Sequence, residues 1–233
     1  MTEHISKQYD HDLEAIRSRT LQMGGLVESQ VRSAVAGYLT GESAPIEQAI
    51  ASDAKVNDME RALDEELRTV IVRRQPAASD LRLIMAVSKT VTDLERIGDE
   101  ATKIARMARE IHAGAKNGTA RLAMIHHVSE VSIGMLRRSL DAFARLDAAA
   151  AARVIAEDAS IDAEFQAIMR QLITFMMEDA RTISASINLI WVAKACERIG
   201  DHAKNIAEQT IYIVKGTDVR HTPLAEVERE ALG

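Results

Sequence analysis

The sequence predicts an all-α fold: six long helices forming two tandem three-helix bundles related by an internal repeat. Three observations predict it. Apolar residues recur at helical spacing along nearly all of the 233 residues, the pattern of amphipathic helices facing a core. Aromatics are only 3% of a chain that is 47% hydrophobic, so the core is built from Ala, Leu, Ile, Val and Met, where strand-rich folds draw on aromatic residues. Finally, the second half of the chain rewrites the first.

The helices are separated by breaks in the pattern. The first ends at "TGESAP" (Thr40 to Pro45) and the second at "RQPAASD" (Arg74 to Asp80). The third runs to "AGAKNGT" (Ala113 to Thr119), the fourth to Leu146-Asp147, and the fifth to "EDARTIS" (Glu178 to Ser184). The sixth fades at Gly216. The prolines Pro45, Pro76 and Pro223 all fall at such breaks or in the tail, outside helix interiors. Ser79 and Asp147 are expected N-caps. Helices of about 25–32 residues would be roughly 40–48 Å long. The expected organisation is residues 1–115 as the first bundle, 116–216 as the second, and 217–233 as a loose tail.

The repeat has a fixed register. Val31 aligns with Leu136, Tyr38 with Phe143, Ile50 with Ile155, Asp53 with Asp158 and Val56 with Ile161. Past the second helix the offset drops by three, and Glu95, Gly98, Asp99 and Ile104 align with Glu197, Gly200, Asp201 and Ile206. The deletion falls at the Arg-Gln-Pro turn, where short connections make neighbouring helices antiparallel.

Charge and cysteine content exclude several functions. The net charge is −6 with both signs interspersed, which argues against nucleic acid as a direct partner. The single cysteine, Cys196, forbids an internal disulfide and suits a reducing compartment. Met1 to Ser18 hold no apolar stretch, so no signal peptide is expected. The longest uncharged helical run, Thr182 to Ala193, is too short and polar to span a bilayer, and a cytoplasmic protein without membrane insertion is expected.

The most marked feature is Glu-Arg-Ile-Gly-Asp, written once in "LERIGDEATKIA" and again in "CERIGDHAKNIA". Glu95 and Asp99 stand four residues apart and share a helix face, as do Glu197 and Asp201. They flank an apolar seam, Ile84, Val87, Val91, Leu94, Gly98, Ala101, Ala105 and Ala108, spaced alternately by three and four. A mid-helix glycine costs about 1 kcal/mol against alanine, so Gly98 and Gly200 point to a neighbouring helix at close approach. Reflection through the preceding turns brings Asp53 and Asn57 level with the first pair, and Asp158 and Asp162 level with the second.

Each hairpin then gathers four oxygen-bearing side chains. Clustered carboxylates raise one another's pKa unless a cation intervenes, and hard oxygen donors suit divalent cations or iron. The competing reading is a solvated charged flank, with Lys103 and Lys204 neutralising Asp99 and Asp201 on their own helices. Asn57, opposite Asp162 in the repeat, makes the first cluster the weaker. His126 and His127 read as surface residues and Cys196 as a core thiol. Arg96 and Arg198 point away from the glutamates, toward another helix or a partner. No catalytic set is visible; the alternatives of a metal-dependent phosphate enzyme or a metal store would rest on the carboxylates alone.

Several stretches carry a resemblance. "TLQMGGLVESQV" (Thr20 to Val31), Arg74 to Ile104, Arg170 to Ile206 and "YIVKGTDVRH" (Tyr212 to His221) together resemble the PhoU family over essentially the whole chain. The resemblance implies a non-enzymatic, six-helix, two-repeat protein with an acidic motif in each repeat, here Glu95 and Asp99, and Glu197 and Asp201, at which some members of the family bind iron or other metal clusters. It also implies a link between the ATPase subunit of the phosphate ABC transporter and a sensor histidine kinase, negative control of the phosphate-starvation response, and dimers or higher homo-oligomers.

Overall fold

The structure, a computed structural model, describes residues 7–76, 78–114 and 119–233. It contains six long helices: α1 (Lys7–Thr40), α2 (Ser43–Arg74), α3 (Ala78–Gly114), α4 (Thr119–Arg145), α5 (Ala148–Glu178) and α6 (Ile183–Lys215). A one-turn 3-10 helix, Ala180–Thr182, precedes α6, and a seventh helix, α7 (Leu224–Leu232), follows it. No described helix is long and apolar enough to cross a membrane.

The breaks lie where the sequence places them, and local chemistry explains them. Gly41 (φ 74°) and Gly216 (φ 82°) take left-handed conformations after α1 and α6, and their N–H groups donate to Gly37 and Tyr212 carbonyls. Asp147 caps α5, accepting from the Ala150 amide at 2.8 Å. Ser79, expected to cap α3, lies inside its first turn, because α3 begins at Ala78. The expected boundary between residues 115 and 116 lies outside the described residues.

Two expectations are corrected. There are seven helices among the described residues, not six, and the tail is not loose. Its Val219, Val227 and Ala231 are buried, α7 packs against α5, and Thr217 donates to Glu230 at 2.8 Å. A nine-residue helix is too short for its periodicity to stand out.

Helices α1, α2 and α3 pack on one another, as do α4, α5 and α6, and α3 also lies along α6. One apolar cluster runs through both halves. The seam of α3 is buried throughout, from Ile84 to Ala108. Its α6 counterpart, from Ser186 through Gly200 to Ile211, is buried likewise. Arg198 pairs with Glu100 at 3.0 Å, while Asn205 donates to Asp93 at 3.0 Å. As numbers rise along α3 they fall along α6, so the two helices run antiparallel, crossing near Gly98 and Gly200.

Those glycines do what the sequence suggests. A Cβ on Gly200 would stand 2.7 Å from Ile161 Cδ1, and one on Gly98 would stand 3.3 Å from Val56 Cγ1. Val56 and Ile161 are themselves repeat partners, so each half presses the same side chain of its second helix onto the same glycine. This contact fixes the level at which α2 meets α3 and α5 meets α6, and thereby positions the acidic groups beside it.

Candidate functional site: two unequal acidic clusters

In the first half, α2 supplies Asp53, Asn57 and Glu60, and α3 supplies Glu95 and Asp99. Glu95, Asp53, Asn57 and Glu60 are half-buried and Asp99 is exposed, giving a rim between core and solvent. Burial, then the carboxylates of Asp99, Glu60 and Asp53, hold Glu95 above the usual range, with Arg96 opposing. Burial, then Asp64 and Asp99, raise Glu60 in the same way. The only direct hydrogen bond described at Asp53 is from the neutral Thr102 hydroxyl, at 3.1 Å. The Gln30 amide behind it donates to Thr102 Oγ1 and to the Gly98 and Ala49 carbonyls, tying α1 into the site.

In the second half, Asp158 and Asp162 on α5 face Glu197 and Asp201 on α6. Asp201 is pushed up to about 6 by burial and by Glu197, Asp158 and Asp162, with Lys194 opposing. Two ammonium groups lie inside this cluster. Lys194 donates to Glu197 Oε1 at 2.5 Å, and Lys204 donates to Asp158 Oδ2 at 2.5 Å. The repeat places Thr92 and Thr102 at those positions in the first half. Thr102 and Lys204 therefore hold equivalent aspartates, one with a hydroxyl and the other with a charge.

The structure thus brings Asp53 and Asp99 into the field of Glu95, and Asp158, Asp162 and Glu197 into the field of Asp201, the groupings the sequence predicts. Asn57 sits between Asp53 and Glu60 along α2, on the same flank. The local pairings differ from expectation. Lys204 reaches across to Asp158 on α5, and Lys103 bonds Glu100 at 2.8 Å. Arg198 reaches α3, one of the two destinations expected for it.

Sequence reasoning missed Glu60, Asp64 and Lys194. It placed Asn57 level with Glu95, but the Asp53–Thr102 bond sets the helices about one turn further on, which puts Glu60 there instead. It also missed a buried polar group between the halves: Asp93 accepts from Asn205 and shares a 2.8 Å contact with His202 Nδ1. Cys196 is fully buried with its thiol pushed up to about 12, a core residue as expected. His126 and His127 are exposed, also as expected.

The donor sets suit a hard cation unequally. The first is all oxygen, with no lysine bonded to its carboxylates among the described residues. The second already carries two ammonium groups, although Glu197 Oε2 is buried with no hydrogen-bond partner. Among the described residues, no three His, Cys, Asp or Glu side chains stand close enough to ligate one ion as they are oriented. Binding of one ion by three of these groups would therefore require the carboxylates to reorient.

Known proteins share this architecture. The profile of the PhoU domain matches twice, over residues 20–108 and 125–210. The chain is 48% identical, over its whole length and 91% of the relative, to a phosphate-specific transport system accessory protein PhoU homolog of Pseudomonas putida. It is 42% identical to the accessory protein PhoU of Escherichia coli K12, over its whole length and 96% of that protein. The crystal structure of PhoU from Pseudomonas aeruginosa superposes with a TM-score of 0.85 at 46% identity, covering 90% of this chain and all of that one. The phosphate transport system regulatory protein PhoU from Streptococcus pneumoniae gives 0.82 at 25% identity, over 91% of this chain and 99% of that one. The helical hairpins, their duplicated acidic rims and these full-length likenesses together establish that the chain belongs to the PhoU family, a family of phosphate-transport accessory proteins rather than enzymes.

Proposed function

We propose that this protein is a cytoplasmic regulator of phosphate uptake and signalling. It would act as an adaptor between the ATPase subunit of the phosphate ABC transporter and a sensor histidine kinase, restraining the starvation response when phosphate is plentiful. The observation that carries the reading is the full-length likeness to phosphate-specific transport accessory proteins. Two further features support it. Long helices offer extended outer faces for protein contacts, and the sequence shows no catalytic set to accompany the carboxylates. As a homodimer it would present each face twice. The acidic clusters would hold divalent or iron ions, with Asp53, Asn57, Glu95 and Asp99 serving one site and Asp158, Asp162, Glu197 and Asp201 the other.

Deleting the gene tests the reading. Expression of a phosphate-starvation reporter in high phosphate should rise to the level seen in starved cells. Unchanged expression in the deletion strain contradicts the regulatory role.

A further inference from the structure

The chain's one tryptophan, Trp191, is 60% exposed, unusual for the largest side chain of an aromatic-poor protein. It lines a groove of about 410 Å³ between the C-terminal half of α3 and the N-terminal half of α6. Met107 and Ala195 line it as well, and Lys103, Lys194 and Arg198 stand along it. The buried Glu100 beneath is already bonded to Lys103 and Arg198, leaving Glu110 as the only other carboxylate in the lining. Lys194 is bonded to Glu197, so the charges along the groove are paired and its open feature is the exposed indole.

The repeat supplies the groove's counterpart, and that counterpart is filled. Offsetting by the register of α3 and α6 places Lys89 where Trp191 stands, Gln209 where Met107 stands, Glu208 where Arg106 stands and Tyr212 where Glu110 stands. Beside these residues lies the chain's own segment after α6, which ends in a turn at Arg220-His221. Val219 is buried. Asp218, held near 2 chiefly by Arg220, also feels the Lys89 ammonium. Arg220 in turn feels Glu208 and Tyr212. Gly216 approaches the Arg82 guanidinium. Burial records the cover: Glu208 and Gln209 are buried, while their partners Arg106 and Met107 are exposed and half-buried.

We propose that the open groove receives a short segment of a partner protein, carrying two successive aliphatic residues followed by an acidic one. The pattern follows from the filled copy by exchanging Lys89 for Trp191 in the groove and Glu208 for Arg106, an exposed residue next to the groove's Met107 in sequence. Trp191 in place of Lys89 calls for an apolar residue where the tail has Asp218. Arg106 in place of Glu208 calls for a carboxylate where the tail has Arg220. The aliphatic Val219 position is kept. An exposed tryptophan beside a methionine, in a groove with a polar rim, is also the composition of a protein-recognition centre. The inference rests on the accessory-protein reading only in requiring a partner, and its test is separate from the gene-expression assay.

The test titrates the full-length protein with two octapeptides of residues 216–223, one unaltered and one carrying Asp218→Leu and Arg220→Glu. Neither contains tryptophan, so protein emission reports on Trp191 alone. The altered peptide should shift that emission saturably to shorter wavelength and bind about tenfold tighter than the unaltered one. Arg106→Glu, at an exposed position, should weaken the altered peptide about tenfold while leaving the melting temperature unchanged. Trp191→Ala, followed by calorimetry, should weaken it comparably. The proposal is overturned if both peptides bind equally or neither binds at millimolar concentration. It is also overturned if Trp191→Ala splits a dimer into monomers without any peptide having bound, since a second copy would then be the occupant.

Discussion

The two acidic clusters descend from one design and differ in who neutralises them. In the α5–α6 cluster, Lys194 and Lys204 bond Glu197 and Asp158 directly. In the α2–α3 cluster, the same positions are Thr92 and Thr102, so Asp53 has a hydroxyl and Glu95 faces Glu60, Asp53 and Asp99. Counting the repeat-equivalent carboxylates alone ranks the α5–α6 cluster as the stronger cation site, because it has Asp162 where the other has Asn57. Counting bonded cations reverses that order. The lesson is that clustered carboxylates predict a ligand site only after the local ammonium groups are subtracted.

The largest expected effect comes from stripping the α5–α6 cluster of its cations. Lys194→Met with Lys204→Met leaves Glu197, 8% exposed, without its bonded charge. Stability at pH 7 should fall by about 2 kcal/mol, less than for a fully buried pair because both lysines are partly exposed. Thr102→Val, the mirror change, should cost under about 1 kcal/mol. Urea denaturation measures both, and equal losses would erase the distinction between the clusters.

The glycine contacts sharpen the comparison at the backbone. Gly200→Ala drives a methyl into Ile161, which is itself fully buried, while Gly98→Ala meets its neighbours at ordinary to tight distances. We expect Gly200→Ala to be about 1–2 kcal/mol less stable than wild type, and Gly98→Ala to be near neutral once the gain in helix propensity is included. Melting temperatures of the two variants check this.

A smaller effect should appear at Asp201. Its pKa, about 6 in the folded chain against an ordinary 3.8, means that ionising it costs folding free energy. The sign follows: the penalty is absent below about pH 4, grows through pH 6 and is complete above it. The full shift corresponds to about 3 kcal/mol, which solvent screening at this half-buried carboxylate reduces to about 1. Asp201→Asn should therefore stabilise the protein by about 1 kcal/mol at pH 8 and by nothing at pH 4, as read from unfolding curves at both values.

Much of this is legible in the sequence because it repeats. The pairing of Val56 with Ile161 and of Gly98 with Gly200 appears in the letters and again as the same physical contact in each half. The Gly41 and Gly216 breaks are readable because left-handed termini favour glycine. What escapes lies between elements rather than within them. Reflection through Pro76 falls short by about one turn, which hides Glu60 behind Asn57. Spacing along a helix is visible in sequence and assigns Lys204 to its own helix, whereas a reach from α6 to α5 is not visible. The tail reads as loose because Val219, Val227 and Ala231 find their partners only in the folded chain.

The most direct test of the inequality is calorimetric titration of the metal-free protein with Mn²⁺ at about pH 7.5, comparing Asp53→Asn/Glu95→Gln with Asp158→Asn/Glu197→Gln. The first pair of changes should weaken the tightest binding event by about tenfold or more, while the second pair should leave it within about threefold. Loss of that event in the Asp158→Asn/Glu197→Gln variant, with the other variant unaffected, would contradict the inequality.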